Sequence, residues 1–345
     1  MKKNLLLSLL VFAFVACEND IPQEEKINLS GLGASFPQPY YDLIFKNYSA
    51  DTNNQIIYSE NSSGAAIRVL KDKIVDFSAT DIYLSDKELS QFDSEILHIP
   101  ATLGAAVLAF KVNDIKEIKL TPIIIANIYL GVIEYWNDPA ISLLNPEIDL
   151  PFLRITPIRR TEGSGTYYSL SYYLSQNSKK WEEQMGIGKS LKWQAGIAMK
   201  SNIGVSSAIS NINGAIGCIS LEHASLFNLP SAALQNSSGK FIKANEESIL
   251  AAMDNITLPD DMRILVSNSP NENAYPISCL SWILVYKNQA YNKRSKEKYR
   301  KTISFLEYII NPSTQKVARR INHIPLPENV IVKAHNIIQS LEWEE

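Results

Sequence analysis

The stretch Arg159-Arg160-Thr161-Glu162-Gly163-Ser164-Gly165-Thr166 carries residue types and a spacing that suit an oxyanion. It lies between a strand-like run, Leu153 to Ile158, and an expected helix, Tyr167 to Gln176. The first N–H groups of a helix have no partner inside it and sit at the positive end of its dipole, so an anion is favoured there. Arg160 adds a planar fork that matches two oxygens of a tetrahedral ion, and Ser164 and Thr166 add hydroxyls. The same string also reads as an ordinary helix cap, with Arg160 and Glu162 forming a surface salt bridge. A nucleotide phosphate loop is disfavoured, because the Gly-x4-Gly-Lys-Ser/Thr spacing is absent. A serine nucleophile at Ser164 lacks both a Gly-x-Ser-x-Gly elbow and a histidine placed to serve it.

Other turns of this kind precede it. A strand at Ile27 to Leu29 leads into Gly31-Leu32-Gly33-Ala34-Ser35-Phe36-Pro37 and a helix from about Gln38 to Tyr48. A strand at Gln55 to Tyr58 ends in Glu60-Asn61-Ser62-Ser63-Gly64, ahead of a short helix, Ala65 to Asp72. A third strand, Ile74 to Ala79, ends at Thr80-Asp81, with a helical turn opening at Leu84-Ser85-Asp86. Successive strand–turn–helix units argue for a doubly wound α/β domain, in which ligands bind outside the carboxyl ends of the strands. Ser35, Ser62 and Ser164 each fall at such a turn, so three helix N-termini are expected to converge on one anion.

The apolar run Leu97 to Val112 is long enough to cross between two lobes. A second α/β region follows, with helices near Ile123 to Tyr129 and Ala140 to Leu144, a segment Ser201 to Ser210, a strand Ala215 to Ser220 and a helix Glu246 to Met253. Tyr275 to Tyr286 is a second long strand that returns the chain to the first lobe, and helices Arg294 to Ile310, Ser313 to Asn322 and about Glu328 to Trp343 close it. Pro312 and Pro327 punctuate these last elements. Two lobes joined by crossing strands form a hinge suited to closing on a ligand; the alternative is buried sheet in one large domain.

The 345 residues allow two domains and an ample core, and the formal charge of −3 points to neither nucleic acid nor an anionic membrane surface as partner. Lys2 and Lys3 precede an apolar run, Leu5 to Val15, that ends at Ala16-Cys17. This has the layout of a secretory signal, too short to span a bilayer. The cysteine after a small residue resembles the lipobox of bacterial lipoproteins, which makes Cys17 the expected lipidated N-terminus, although Phe14 stands where Leu is usual. Cleavage would take the charge from −3 to −5 by removing Lys2 and Lys3. Cys218 and Cys279 lie in apolar runs and read as buried free thiols, and the four histidines show no metal-ligand spacing. Neither a metal nor a cofactor is expected.

Several motifs then coincide in order. Gly31 to Pro39 resembles the Gly-x-Gly-Ala-Thr/Ser-Phe-Pro-x-Pro opening of the phosphate-binding proteins of high-affinity phosphate ABC importers. Asn61-Ser62-Ser63-Gly64 resembles their Gly-Ser-Ser-Gly turn, and Val75-Asp76-Phe77-Ser78-Ala79-Thr80-Asp81 their Val-Asp-Phe-Gly-Ala-Ser-Asp. Ile128-Tyr129-Leu130-Gly131 with Trp136-Asn137-Asp138 is similar to the entry of their second lobe. Arg159 to Thr166 matches Arg-Arg-x-Asp-Gly-Ser-Gly-Thr, and Gly214 to Gly217 and Tyr275-Pro276-Ile277 follow in the family's order. The resemblance spans about residues 29 to 343.

It implies an α/β, two-lobed periplasmic binding protein-like fold (type II): two doubly wound α/β domains joined by two crossing hinge strands. The expected organisation is a signal peptide at 1–17, a tether at 18–28, one lobe from 29–111 plus 275–345 and the other from 112–274. Phosphate would be held by Ser35 and Phe36, by the Ser62 hydroxyl and N–H, by Asp81 accepting the anion's proton, by Arg160, and by Ser164, Gly165 and Thr166. Near neutral pH phosphate keeps a proton and sulfate keeps none, so a buried carboxylate at Asp81 would tell them apart. Asp81 as a mere cap for the Leu84 to Lys87 turn is the plainer alternative. Glu162 departs from the family's Asp, and Asn61 from a Gly, so that turn is expected to use a different backbone conformation. The implied protein is not an enzyme but a monomeric, lipid-anchored receptor in the periplasm or at the cell surface, which passes inorganic phosphate to a membrane permease. The competing readings are a phosphate-sensing surface lipoprotein, a binder of sulfate or molybdate, and a secreted phosphatase.

Overall fold

The computed structural model describes residues 27–344 apart from 53 and 255, so Cys17 and the expected signal peptide lie outside the described residues. The chain opens with β1 (Asn28–Gly33), α1 (Gln38–Thr52), β2 (Gln55–Glu60), α2 (Ser63–Lys71), β3 (Phe77–Thr80) and α3 (Asp86–Leu89). The all-buried strand β4 (Ile96–Phe110) follows, then β5 (Lys119–Leu120), α4 (Pro122–Tyr129) and α5 (Pro139–Ser142). Next come β6 (Thr156–Arg160), α6 (Gly165–Asn177), α7 (Lys179–Gln184), β7 (Ile197–Met199), α8 (Ser201–Asn211), β8 (Ala215–Ser220) and α9 (Leu221–Leu226). After β9 (Ala233–Gln235), β10 (Phe241–Ile242) and α10 (Glu246–Ala251) the chain runs into β11 (Ser278–Tyr286). It ends with α11 (Lys296–Ile310), α12 (Pro312–Val317), a 3-10 turn at Ala318–Ile321, and α13 (Glu328–Gln339).

Local chemistry explains most of these boundaries. Ser62, Thr121, Ser164 and Ser295 cap α2, α4, α6 and α11 through their side chains, and Ser85 and Glu88 form a reciprocal capping box on α3. Helix α2 therefore starts at Ser63, two residues ahead of the expected Ala65. The expected helix from Ser313 to Asn322 is split in two, its last turn tightening to 3-10 geometry. The short elements α7, β7, β9 and β10 carry too little periodicity to be read from sequence.

Eight strands form one sheet in the order β2-β1-β3-β11-β4-β8-β6-β7, and β10-β9-β5 form a small second sheet. The long strand β4 is the spine. Its residues Ile96 to Ala105 pair with β11, and Ala106 to Phe110 pair with β8. Strand β11 starts at Ser278, opposite Ala105, where β4 changes partner. Because β3 and β4 are both antiparallel to β11, β4 runs in the same sense as the parallel set β1, β2 and β3. Because β4 is antiparallel to β8, the parallel set β8, β6 and β7 runs the opposite way. The carboxyl edges of the two sets thus face each other across the middle of β4. Doubly wound halves build their ligand sites at those edges.

One apolar core runs through both halves, from Phe45 and Phe305 to Trp136 and Trp181. Cys218, opposite Leu108 of β4, and Cys279, opposite Gly104, are both free and buried, which agrees with the reading as thiols. Among the described residues no helix is long and apolar enough to cross a membrane.

Strand β1 approaches β3 closely at Gly33, where an added Cβ would stand 2.3 Å from the Ala79 carbonyl oxygen. Backbone cannot yield as a flexible side chain does, so Gly33→Ala should destabilise the protein by about 1–3 kcal/mol. Urea denaturation of the variant against the parent checks this; an unchanged midpoint would contradict the packing.

Candidate functional site

The turns after β1, β2 and β3 stand side by side because these strands are in parallel register, with Gly33 beside both Glu60 and Ala79. They carry Ser35, Ser62 and Asp81. Facing them are Arg160, the last residue of β6, and the first turn of α6 with Ser164, Gly165 and Thr166. The residues make direct contact across the gap. Arg160 Nη1 donates to Ser35 Oγ at 3.4 Å and to Ser164 Oγ at 3.2 Å. A Cβ on Gly165 would lie 2.5 Å from Asp81 Cβ and 3.0 Å from Asp81 Oδ2. Position 165 therefore admits no side chain, and the start of α6 can close on the carboxylate.

Ser35, Asp81, Arg160, Ser164 and Thr166 are buried, and Phe36 is fully so, its ring packed where a Cβ on Gly104 of β4 would stand. Ser62 is half-buried at the rim, its position set by the β1–β2 register rather than by contact with the others. Its hydroxyl oxygen accepts from the Ala65 N–H at 3.1 Å, and its own N–H donates to Asn61 Oδ1 at 2.8 Å. The N–H expected to face the ligand is thus already engaged, because asparagine rather than glycine precedes Ser62 and supplies an acceptor. Asn61 is not among the residues with positive φ, so the turn does not use the left-handed backbone that only a glycine adopts freely.

Arg160 is 5% exposed, so its pairing with Glu162 is not the surface bridge considered above. Glu162 Oε1 receives Arg160 Nε at 2.9 Å, Arg160 Nη2, and the Ser201 N–H at 3.0 Å. The longer side chain of glutamate, where the resembled family has aspartate, puts one oxygen on two of the three guanidinium nitrogens. Burial pushes the Glu162 carboxyl up, but the Arg160 charge and these hydrogen bonds outweigh it and hold it below the usual range. With Nε and Nη2 so occupied, Nη1 is the nitrogen turned toward Ser35 and Ser164.

Asp81 is not a helix cap, since Ser85 does that work for α3. Burial pushes its carboxyl up to about 7; the Ser281 hydroxyl and the Arg160 charge act against that, and Glu222 adds to it. Ser281 Oγ donates to Asp81 Oδ1 at 2.9 Å, leaving Oδ2 toward the start of α6. The hydroxyls of Ser35, Ser62 and Ser164 all accept internal hydrogen bonds and so have their protons to offer. The arrangement is a ring of donors with Asp81 as the acceptor among them.

Three contributors escaped the reading of the sequence. Asn202, in the first turn of α8, donates to Ser35 Oγ through both its main-chain N–H and Nδ2, each at 3.1 Å. Strand β7 ahead of it is only three residues long, so nothing marked Asn202 as lying at a carboxyl edge. Ser281 is a hydroxyl flanked by apolar residues in the middle of the all-buried β11, a signal legible in the sequence. Glu60, the last residue of β2, is pushed up by burial and drawn down by Arg160, which places a further carboxylate at the rim. Among the described residues no group of three or more His, Cys, Asp or Glu could hold a metal ion.

The chain matches the family model described as the PBP superfamily domain over residues 20–313. It is similar to the phosphate-binding protein PstS of Xylella fastidiosa, at 32% identity over 313 residues, covering 90% of this chain and 84% of that protein. It is 31% identical over 322 residues to the phosphate-binding protein PstS of Haemophilus influenzae, covering 92% of this chain and 94% of that protein. Among solved structures it resembles a putative phosphate ABC transporter substrate-binding protein from Clostridium perfringens with bound phosphate. There the TM-score is 0.61 and the identity 14%, covering 87% of this chain and all of that one, a likeness of fold.

Removing the Ser281 hydroxyl deletes a hydrogen bond to the charged form of Asp81, so Ser281→Ala should move the Asp81 titration upward from about 7. Carboxyl-carbon NMR titration reads this directly; a shift downward would show that Ser281 does not stabilise the ionised carboxylate.

Proposed function

This chain belongs to the PBP superfamily and within it to the phosphate-binding proteins, and from that membership we propose a receptor that captures inorganic phosphate outside the cytoplasm and delivers it to an ABC permease. The observation that carries the reading is the acceptor Asp81, buried among donors. Phosphate brings both oxygens for the donors and a proton for the acceptor. Sulfate brings oxygens only and leaves a carboxylate facing lone pairs. An unsatisfied buried acceptor costs about 1–3 kcal/mol, more when charged, so discrimination by orders of magnitude is available.

In this reading phosphate takes two faces of the cradle. From residues 29–111 with 275–345 come the hydroxyl of Ser35, the N–H of Phe36, the hydroxyl of Ser62 and the carboxylate of Asp81. From residues 112–274 come the free edge of Arg160, the Ser164 hydroxyl and the N–H groups of Gly165 and Thr166, at the positive end of the α6 dipole. The two sets approach by closure about the point where β4 changes partner. Binding without turnover is favoured because Ser164 Oγ receives Arg160 Nη1 and the Tyr167 N–H rather than facing an imidazole. Cys17 is the proposed lipid attachment point, with residues 18–28 as the tether of a monomer working at the outer face of the membrane.

Calorimetry on the mature protein should give far tighter binding of phosphate than of sulfate; equal affinities would sink the reading. Asp81→Asn, whose amide can donate, should narrow that gap. The pH dependence follows with a definite sign. Above about 7 Asp81 is ionised and only accepts; below it the neutral carboxyl can donate, so sulfate affinity should rise as pH falls through that value. The rise should be missing in Asp81→Asn. Arg160→Ala should weaken phosphate binding by about 3 kcal/mol or more, roughly a hundredfold, and leave the circular dichroism spectrum unchanged. Near-normal affinity in that variant would exclude Arg160 from the cradle.

A further inference from the structure

We propose that Asn202 is a positioning residue that fixes the Ser35 hydroxyl as a hydrogen-bond donor aimed at the bound phosphate, and that it does so from the opposite half of the molecule. The inference rests on the phosphate reading above and concerns how one of its donors is made. A serine hydroxyl has one proton and two acceptor lone pairs, and it rotates to suit its surroundings. Left alone beside an anion and an arginine, it can face either way.

Asn202 removes that choice. Its main-chain N–H and its Nδ2 both donate to Ser35 Oγ at 3.1 Å, and Arg160 Nη1 approaches the same oxygen at 3.4 Å. The orientation of the amide is set by its other end, where Oδ1 accepts from the Ser220 N–H at 3.3 Å, so the nitrogen is the atom turned toward Ser35. With its lone pairs engaged, Ser35 has only its proton left to give. Donors converging on the oxygen also polarise the O–H bond and strengthen it as a donor. Asn202 is fully buried, which removes water as a rival partner.

The backbone around Asn202 is arranged for this contact. Ser201 has φ of +61°, a left-handed conformation uncommon outside glycine, and its N–H is held by Glu162 Oε1 at 3.0 Å. Glu162 thereby ties the start of α8 to Arg160 and presents the next N–H, that of Asn202, to Ser35. Ser35 and Asn202 lie on opposite sides of the site, after β1 and β7 respectively, so the donor is completed only when the two carboxyl edges meet.

The test is a double-mutant cycle for phosphate binding, by calorimetry on the mature protein with inorganic phosphate as titrant. Asn202→Ala should weaken binding on the order of tenfold in the parent, as expected for loss of one hydrogen bond to a group that contacts a charge. In a Ser35→Ala background it should change affinity by no more than about twofold, because an effect exerted through Ser35 vanishes with it. Equal losses in both backgrounds would mean that Asn202 acts through α8 or through its 3.5 Å contact with Thr166 Oγ1 rather than through Ser35, and would overturn the proposal. So would a Ser35→Ala variant that binds as tightly as the parent. If Asn202→Ala does not fold, Asn202→Ser keeps a residue suited to a helix start while removing Nδ2; a loss confined to the Ser35 background then supports the proposal, and equal losses overturn it. A parent protein that binds no phosphate would overturn the functional reading itself, an outcome distinct from additivity in the cycle.

Discussion

A carboxylate buried against the first turn of a helix, with no side chain between them, is the contact from which the rest of this molecule takes its meaning. Asp81 meets Gly165 so closely that even a methyl group is excluded. An anion site that contains a buried acid is electrostatically expensive unless the acid has a proton to share. Burial has brought the Asp81 carboxyl up to about 7, so the group neither holds its proton firmly nor repels an anion outright. In the proposed function, a protonated tetrahedral ion resolves that tension by bringing the proton with it.

The fold exists to bring such a contact about. A single long strand carries the sense of β1, β2 and β3 into the other half, where it lies antiparallel to the strands it meets. This reversal turns two carboxyl edges toward each other. Loops that would decorate the ends of two separate sheets become the two walls of one site. Contacts at the rim extend the same logic: Lys189 reaches Glu88 at 2.8 Å, joining the segment that supports Ser164 to the capped turn beyond Asp81.

Arginine supplies the positive charge, and its geometry is regulated by a neighbour. Glu162 occupies Nε and Nη2 of Arg160 with one oxygen, which offsets much of the charge and leaves Nη1 directed inward. In the proposed cradle, recognition depends less on net attraction than on matching donors to acceptors, and hydrogen-bond matching separates ions of similar size and charge where attraction alone does not. The fully buried Glu222 and the half-buried Glu60 add to this restraint, the first by pushing the Asp81 carboxyl further up.

What was legible in the linear chain was whatever depends on near neighbours. Serine before a helix is a frequent cap, and strand–turn–helix units with polar turns mark their own carboxyl edges, so the turns that carry Ser35, Ser62 and Asp81 could be placed in advance; their part in holding an anion was what the family resemblance implied. The α/β class and the two-lobed plan followed from those units, and the ordered set of motifs identified the family. Tertiary structure decided matters that depend on partners remote in sequence. Asn202 reaches Ser35 across 167 positions and Ser281 reaches Asp81 across 200, and no local pattern encodes either meeting. The proton affinity of Asp81 belongs to the same class, because burial is a property of an environment; the engaged N–H of Ser62 does not, since its acceptor is the adjacent Asn61. Residue types set which groups can donate, accept or titrate; packing decides which of those capacities remain for a ligand.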